Sequence, residues 1–157
     1  MRWFLTLLVL VLVVLLSGCM HGPVSNQAFV SKLVIEVWAS TNCANPGETV
    51  TLRASVTNNG EQIEFVELKN RPVLDLCISA YGGYNKCWSD NKPLTPDLTR
   101  LELKPGQSRS IEMKWIAEPA GEFGAGAIYV FSPNARGSTS ANVVVGVEGN
   151  CPGQGMR

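Results

Sequence analysis

Residues 49–60, TVTLRASVTNNG, carry the pattern that decides the fold. Apolar side chains recur at every second position and fall on one face of an extended chain: Val50, Leu52, Ala54 and Val56. Period-two alternation indicates a β-strand with one buried face. The following Asn58-Asn59-Gly60 predicts a hairpin turn, because Asn and Gly tolerate positive φ.

Short alternating runs of this kind recur along the chain, separated by turn residues. We predict further strands at 33–38, 62–68, 72–79, 84–89, 98–103, 109–116, 127–131 and 141–148. Helical periodicity over ten or more residues is not evident in any segment. The fold class expected for residues 32–151 is therefore an all-β, immunoglobulin-like antiparallel β-sandwich of about seven to nine strands. Trp38 and Trp115 lie on apolar faces and are expected in its core, and residues 152–157 are expected to form a C-terminal tail.

The first 18 residues have the composition of an export signal. Arg2 is positive, residues 3–16 are apolar apart from Thr6, and the small residues Ser17 and Gly18 follow. A charged start, an apolar run and a small-residue exit are typical of secretory signal peptides. The run is shorter than the roughly 20 apolar residues that span a bilayer.

The four residues Leu16-Ser17-Gly18-Cys19 resemble the lipobox of bacterial lipoproteins. The resemblance implies cleavage before Cys19 and a diacylglyceryl group on its sulfur, so that Cys19 anchors the mature protein to a membrane. Two or more acyl chains hold a protein stably on a bilayer. The expected location is extracytoplasmic. An Asp after the lipidated cysteine would resemble an inner-membrane retention signal, and this chain has Met20 there. The outer membrane is therefore favoured if the cell has two membranes. Residues 19–31 are polar and are predicted to form the lipidated N-terminus and a flexible tether.

Assigning Cys19 to the lipid leaves four of the five cysteines, an even number that indicates disulfides in an exported domain. Cys77 and Cys87 would face each other across a hairpin centred on Gly82. Cys43 follows the first strand and Cys151 follows the last, and these strands run parallel in many immunoglobulin-like sandwiches. We therefore predict the pairs Cys77–Cys87 and Cys43–Cys151. Zinc would require closer pairs such as C-x₂-C, so no metal and no other cofactor is expected.

Charge and histidine content argue against nucleic-acid binding and against catalysis. The chain has 13 basic and 13 acidic residues and no basic patch that would indicate nucleic-acid binding. Its single histidine, His21, lies in the predicted tether. A Ser-His-Asp or Cys-His arrangement needs a base positioned by the fold. We therefore expect no catalytic residues and no enzyme activity.

Residues 73–116 resemble the BsuPI-type intracellular proteinase inhibitor domain. The similarity lies in Cys87-Trp88-Ser89, in the Leu-x-Leu-x-Pro-Gly of residues 101–106 and in Trp115, with further likeness at 56–60 and 121–129. The resemblance implies an immunoglobulin-like sandwich and an inhibitory activity, although no inhibitory motif is identifiable. Residues 122–127, EFGAGA, differ from the family pattern and predict a loosened turn before the late strand.

Two surfaces are candidates for a functional site. Tyr81 and Tyr84 flank the glycines of the predicted hairpin tip, and Trp88 lies on its return strand. Rigid aromatic residues provide contact area at low entropic cost, so this tip is a possible binding surface. The alternative is that Tyr84 and Trp88 pack onto the sheet.

The second surface is the polar, proline-containing segment 89–97, where Lys92, Pro93 and Leu94 form a possible inhibitory loop. The alternative is a plain connection between strands. The function expected is a lipid-anchored envelope lipoprotein with a non-catalytic binding or scaffolding domain and a protein partner of unknown identity. The alternative function is a BsuPI-type proteinase inhibitor at the envelope.

Overall fold

The computed structural model describes residues 22–80, 82–118, 121–132 and 135–145. The predicted signal peptide, the lipobox residues, His21 and the predicted tail lie outside these ranges. Eleven strands and one helical turn occur within them. They are β1 Val24–Val30, β2 Leu33–Ala39, β3 Cys43–Ala44, β4 Thr49–Asn58, β5 Glu64–Glu67, β6 Leu74–Ala80, β7 Asn85–Cys87, α1 Pro96–Thr99, β8 Arg100–Leu103, β9 Ser108–Ile116, β10 Gly121–Ser132 and β11 Ala135–Val145. No helix within the described ranges has the length and apolar character needed to cross a bilayer.

Two sheets pack face to face in an immunoglobulin-like antiparallel β-sandwich. One sheet has the order β1-β2-β4-β9, the other has the order β3-β11-β10-β6-β7, and β5 pairs with β8 at the side. The predicted fold class is confirmed. The strand count exceeds the prediction because the apolar residues of β1 do not alternate regularly and β3 is only two residues long.

The core lies between the two sheets and is built from the alternating positions of the strands. The side chain of Trp115 is fully buried, as predicted, and β2 contributes Leu33, Ile35 and Val37. The prediction for Trp38 is wrong: it is half-buried on the outer face, where the Arg53 guanidinium carbon lies 5.4 Å from the ring centroid. Since β2 has apolar side chains on both faces, its periodicity does not identify the inner one.

Residues 24–30 were predicted to belong to the tether, but they form the edge strand β1. This strand pairs antiparallel with β2, from Val24 opposite Ala39 to Val30 opposite Leu33. The connecting turn has Ser31 at φ 57°, a conformation that usually selects Gly or Asn. The lack of regular apolar alternation in β1 and the absence of those turn residues explain why the hairpin was missed.

The predicted hairpin at residues 58–60 is also wrong. β4 has β2 and β9 as neighbours, and the chain leaves the sheet after Asn58 to reach β5. Asn58 is 2% exposed, and its side chain holds this corner through bonds to Gln62 O, Leu103 O and the Gly60 amide. Gly60 is needed for space rather than for positive φ, because a Cβ there would lie 2.8 Å from Lys32 Cδ.

Residues 122–127 belong to a strand and not to a loosened turn. β10 starts at Gly121 and pairs with β6 on one side and β11 on the other. Gly124 lies opposite Asn142 of β11 and Ser79 of β6, and Gly126 lies opposite Ser140 and Cys77. Backbone pairing on two sides thus stabilises a stretch whose composition does not favour a strand.

The cysteine predictions have different outcomes. Cys77 lies opposite Cys87 in the β6–β7 register and forms the predicted disulfide with it. Cys43 is disulfide-bonded, and β3 runs parallel to β11 with Cys43 opposite Val144. Cys151 lies outside the described residues, so its pairing with Cys43 stays a prediction.

The strand directions define two ends of the sandwich. At the proximal end, where β1 begins, lie residues 22–24, 40–48, 82–84 and 116–118. At the distal end lie residues 31–32, 58–63 and 104–107. The β6–β7 hairpin tip is therefore on the same end as the start of β1.

Candidate functional site

Tyr84 of the predicted binding tip is part of the sandwich rather than a free contact residue. Its hydroxyl accepts a 3.0 Å bond from Trp115 Nε1 and donates a 3.3 Å bond to Glu118 Oε1. Its ring meets the Phe123 ring edge-on, with centroids 5.6 Å apart. Tyr81 lies outside the described residues. The packing alternative for Tyr84 is the correct one.

The hairpin itself has the predicted geometry. Ala80 N bonds to Tyr84 O at 3.1 Å, and Gly82 and Gly83 have φ of 95° and 92°. These values are in the left-handed region that glycine adopts without steric cost. The tip is therefore a tight turn, and the Tyr84 side chain that follows it is directed into the domain.

Trp88 of the first predicted surface contacts Lys92 of the second. It is half-buried against the core, and its amide donates a 2.7 Å bond to Leu76 O. Lys92 Nζ lies 3.2 Å from the centroid of the Trp88 ring. A cation at this distance from an indole face is attracted by the ring quadrupole, so the Lys92 side chain is directed onto Trp88.

Asp75 fixes the segment after Trp88 to strand β6. Its carboxylate accepts bonds from Ser89 N at 3.1 Å and from Ser89 Oγ at 2.6 Å, and also from the Leu76 amide. A charged acceptor with three donors makes stronger bonds than a neutral one. We name residues 88–95 the Trp88 loop, and Asp75 is the residue that holds its base.

The first half of the Trp88 loop is a compact turn. Asp90 Oδ2 accepts a 2.7 Å bond from Cys87 N, and Lys92 N donates a 3.0 Å bond to Ser89 O. Asn91 has a φ of 61°, which Asn tolerates better than most residues. Pro93 and Leu94 follow, and Leu94 is 50% exposed although it is apolar.

Lys92 has a lowered pKa within this loop. Desolvation lowers the pKa of Lys92 below its ordinary value of 10.5, and the Asp75 carboxylate partly offsets this. The amine thus lies over an aromatic ring and is influenced electrostatically by a carboxylate. Such a position orients a positive charge without fully neutralising it.

The same region contains a group of three described residues whose possible metal-ligand atoms lie close together. Ligand atoms of Asp75, Cys77 and Cys87 lie within 4.8 Å of one another. The two sulfurs are joined in a disulfide, and a metal requires thiolates. In this oxidised form the cluster is a structural support for the loop.

A concave surface feature lies at the distal end. A cleft of about 320 Å³ opens between the β1–β2 turn and the β4–β5 connection. Lys32, Asn58, Ile63 and Glu64 are among its lining residues, and Ile63 is 58% exposed.

The two residues whose hydrogen bonds hold these sites in place were not predicted from the sequence. Asp75 and Asn58 are polar residues within or beside apolar strands, and that position was the available signal. A polar side chain there must find hydrogen-bond partners. Which partners it finds depends on strands distant in sequence, as with Leu103 for Asn58.

Comparisons with known proteins find remote similarity to solved structures. No protein-family model and no curated protein matches it. Sporulation control protein Spo0M from Bacillus subtilis is similar with a TM-score of 0.49, 12% identity, and coverage of 74% of this chain and 50% of that one. The CARDB domain of a Pyrococcus furiosus protein has a TM-score of 0.47 and 16% identity over 80% of this chain and 97% of that one.

A Paenibacillus cycloisomaltooligosaccharide glucanotransferase is also similar, with a TM-score of 0.45 and 15% identity over 69% of this chain. The match spans 13% of that enzyme. These likenesses are remote.

Proposed function

We propose that the chain is a lipid-anchored envelope lipoprotein whose sandwich is a non-catalytic binding module, and that the Trp88 loop contacts its protein partner. The observation that carries the proposal is the combination of a fixed backbone with exposed Lys92, Pro93 and Leu94. The lipid anchor is proposed from the Leu16–Cys19 motif.

Rigidity favours a contact surface because less conformational entropy is lost on binding. The Trp88 loop is held at its base by the two Ser89 bonds to Asp75 and by the neighbouring Cys77–Cys87 disulfide. The bond from Lys92 N to Ser89 O limits the turn itself. A partner would therefore meet a preformed surface.

The chemistry of the surface favours a partner with an apolar recess beside an acidic group. Leu94 offers an apolar side chain that is half exposed, and Lys92 offers a positive charge held by the Trp88 ring. Apolar anchors next to an oriented charge are common at protein interfaces.

The alternative, a proteinase inhibitor, fits the loop conformation less well. An inhibitory loop presents an extended segment with its specificity side chain free to enter the protease. Here Asn91 is left-handed, Lys92 N closes a turn, and the Lys92 amine lies on Trp88. We expect no stoichiometric inhibition when the purified protein is titrated against a panel of serine proteases. Tight one-to-one inhibition would replace the scaffold proposal.

The anchor is tested by Cys19→Ala. We expect the variant to carry no lipid mass and to accumulate as an uncleaved precursor that retains residues 1–18. Normal processing and membrane retention of this variant would contradict the anchor.

The contact surface is tested by in-cell crosslinking of the double variant Lys92→Glu/Leu94→Ser. The matched control is Lys104→Glu/Ile63→Ser, which changes the same charge and a comparably exposed apolar side chain at the distal end. We expect the loop variant to lose a crosslinked species that the control retains. The reverse result would move the contact surface to the distal cleft.

A further inference from the structure

We infer that the proximal end of the sandwich lies against the membrane surface, with the distal end directed away from it. This inference rests on the proposed lipid anchor at Cys19. It adds a membrane-facing surface and a fixed orientation, which the anchor alone does not give.

The chain between the proposed anchor and the fold is short. Gly22 is already held in the domain, since its carbonyl accepts a 3.0 Å bond from Asn42 N, and β1 begins at Val24. Cys19 is three residues before Gly22. At about 3.6 Å per extended residue, its backbone reaches no more than about 11 Å from Gly22. There is no room for a long tether.

The domain is longer than this reach. β1 has seven residues and runs from the proximal to the distal end. At about 3.3 Å per residue it spans roughly 20 Å. A lipid held within about 11 Å of Gly22 therefore keeps the proximal end at the bilayer, and turning the distal end towards the bilayer would require more connecting chain.

The side chains at the proximal end suit a short-range contact with headgroups. Ile116 is 63% exposed there and Pro46 is exposed in the adjacent turn. Nearby charges are mixed, with Glu48 acidic and Lys114 basic, both exposed. A polybasic surface would bind anionic lipid by itself. This surface lacks that character among its described residues, so the connector sets the orientation.

The orientation assigns different surroundings to the two predicted sites. Gly82 and Gly83 at the hairpin tip would face the headgroups. Asp75 is the second residue of β6, which starts towards the distal end and runs to the tip. The Trp88 loop that it holds is therefore away from the membrane and open to a partner.

The test uses the full lipidated chain, isotope-labelled, in bilayer discs of phosphatidylethanolamine and phosphatidylglycerol that contain a gadolinium-chelate headgroup lipid. Paramagnetic broadening of backbone amides reports distance from the headgroups. We expect broadening at Gly47 and Gly83 that is several-fold larger than at Gly60 and Lys104, with little change in added salt.

A variant with a long Gly-Ser insertion between His21 and Gly22 is the control, and we expect it to lose this difference. Equal or reversed broadening in the native chain, while it remains in the disc, would overturn the orientation and leave the anchor standing. Recovery of the chain free of the disc would overturn the anchor, and with it the orientation.

Discussion

The indole nitrogen of Trp115 donates a 3.0 Å hydrogen bond to the hydroxyl of Tyr84. This bond joins the fully buried side chain of the core to the base of the hairpin tip. The Tyr84 hydroxyl in turn donates a hydrogen bond to the Glu118 carboxylate. A residue that the sequence offers as a surface contact is in fact the polar partner of the largest core side chain.

Tyr84→Phe removes this acceptor, and we expect the free energy of unfolding to fall by about 1–2 kcal/mol, because a buried N–H is left without its partner. Denaturant unfolding measures the loss. The indole N–H resonance of Trp115 should shift while that of Trp38, on the outer face, stays unchanged. An unaltered Trp115 resonance would contradict the bond.

Asn58→Ala should lower the free energy of unfolding by about 2–3 kcal/mol. The substitution leaves the carbonyls of Gln62 and Leu103 and the amide of Gly60 without their hydrogen bonds. The matched control is Asn59→Ala, at an exposed position whose described contact is a backbone bond from its amide to Lys32 O. That bond survives the substitution, so the control should be nearly neutral. Equal losses in the two variants would mean that the corner does not depend on the Asn58 side chain.

Gly137→Ala and Gly124→Ala compare two strand glycines with different surroundings. A Cβ on Gly137 would collide with Val30 and lie 2.6 Å from Ile35 Cδ1, whereas at Gly124 the nearest atom, Ser79 Oγ, is 4.0 Å away. We expect Gly137→Ala to destabilise by about 1–3 kcal/mol through overpacking, and Gly124→Ala to be neutral or slightly stabilising. Thermal unfolding of the pair is the measurement, and similar melting temperatures would contradict the close approach of β11 to β1.

Lys92 should release its proton below pH 10.5, its ordinary pKa, because desolvation lowers that pKa in the folded protein. The folded chain then binds fewer protons than the unfolded chain between the two pKa values, so the Lys92 contribution to stability rises with pH in that window. Titration of the Lys92 side-chain resonances by NMR measures the pKa.

Two variants separate the causes of this shift. Asp75→Asn removes the charge that raises the pKa of Lys92 and should lower it further. Trp88→Ala removes the ring that lies 3.2 Å from the amine and should return the pKa towards 10.5. A change in the opposite direction in either variant would contradict the assigned cause.

The parts of the fold that could be predicted are those in which local pattern and tertiary structure agree. The Cys77–Cys87 hairpin followed from the positions of two cysteines and two glycines. Its register is confirmed, with Cys77 opposite Cys87 and Ile78 opposite Lys86. Strands β4, β6 and β9 were found because apolar residues at alternate positions face one core.

The parts that were missed depend on neighbours distant in sequence. Asn58 resembles the start of a hairpin, yet its partners Leu103 and Gln107 lie more than 40 residues away. The conformation of the Trp88 loop was not predicted either, because it is set by Asp75 on another strand. The side that Trp38 faces was decided by the register of β2 against β4.

The parallel pairing of β3 with β11 has a consequence for how the chain folds. Cys43 lies opposite Val144, so an early segment pairs with one about a hundred positions later. Contacts of such high sequence separation slow folding, since a large loop must close before they form. During synthesis the first sheet strands emerge long before β11 is made, and the five-stranded sheet cannot be completed until then. We therefore expect slow, largely post-translational folding, with the early strands exposed in the meantime to chaperones or to misassembly.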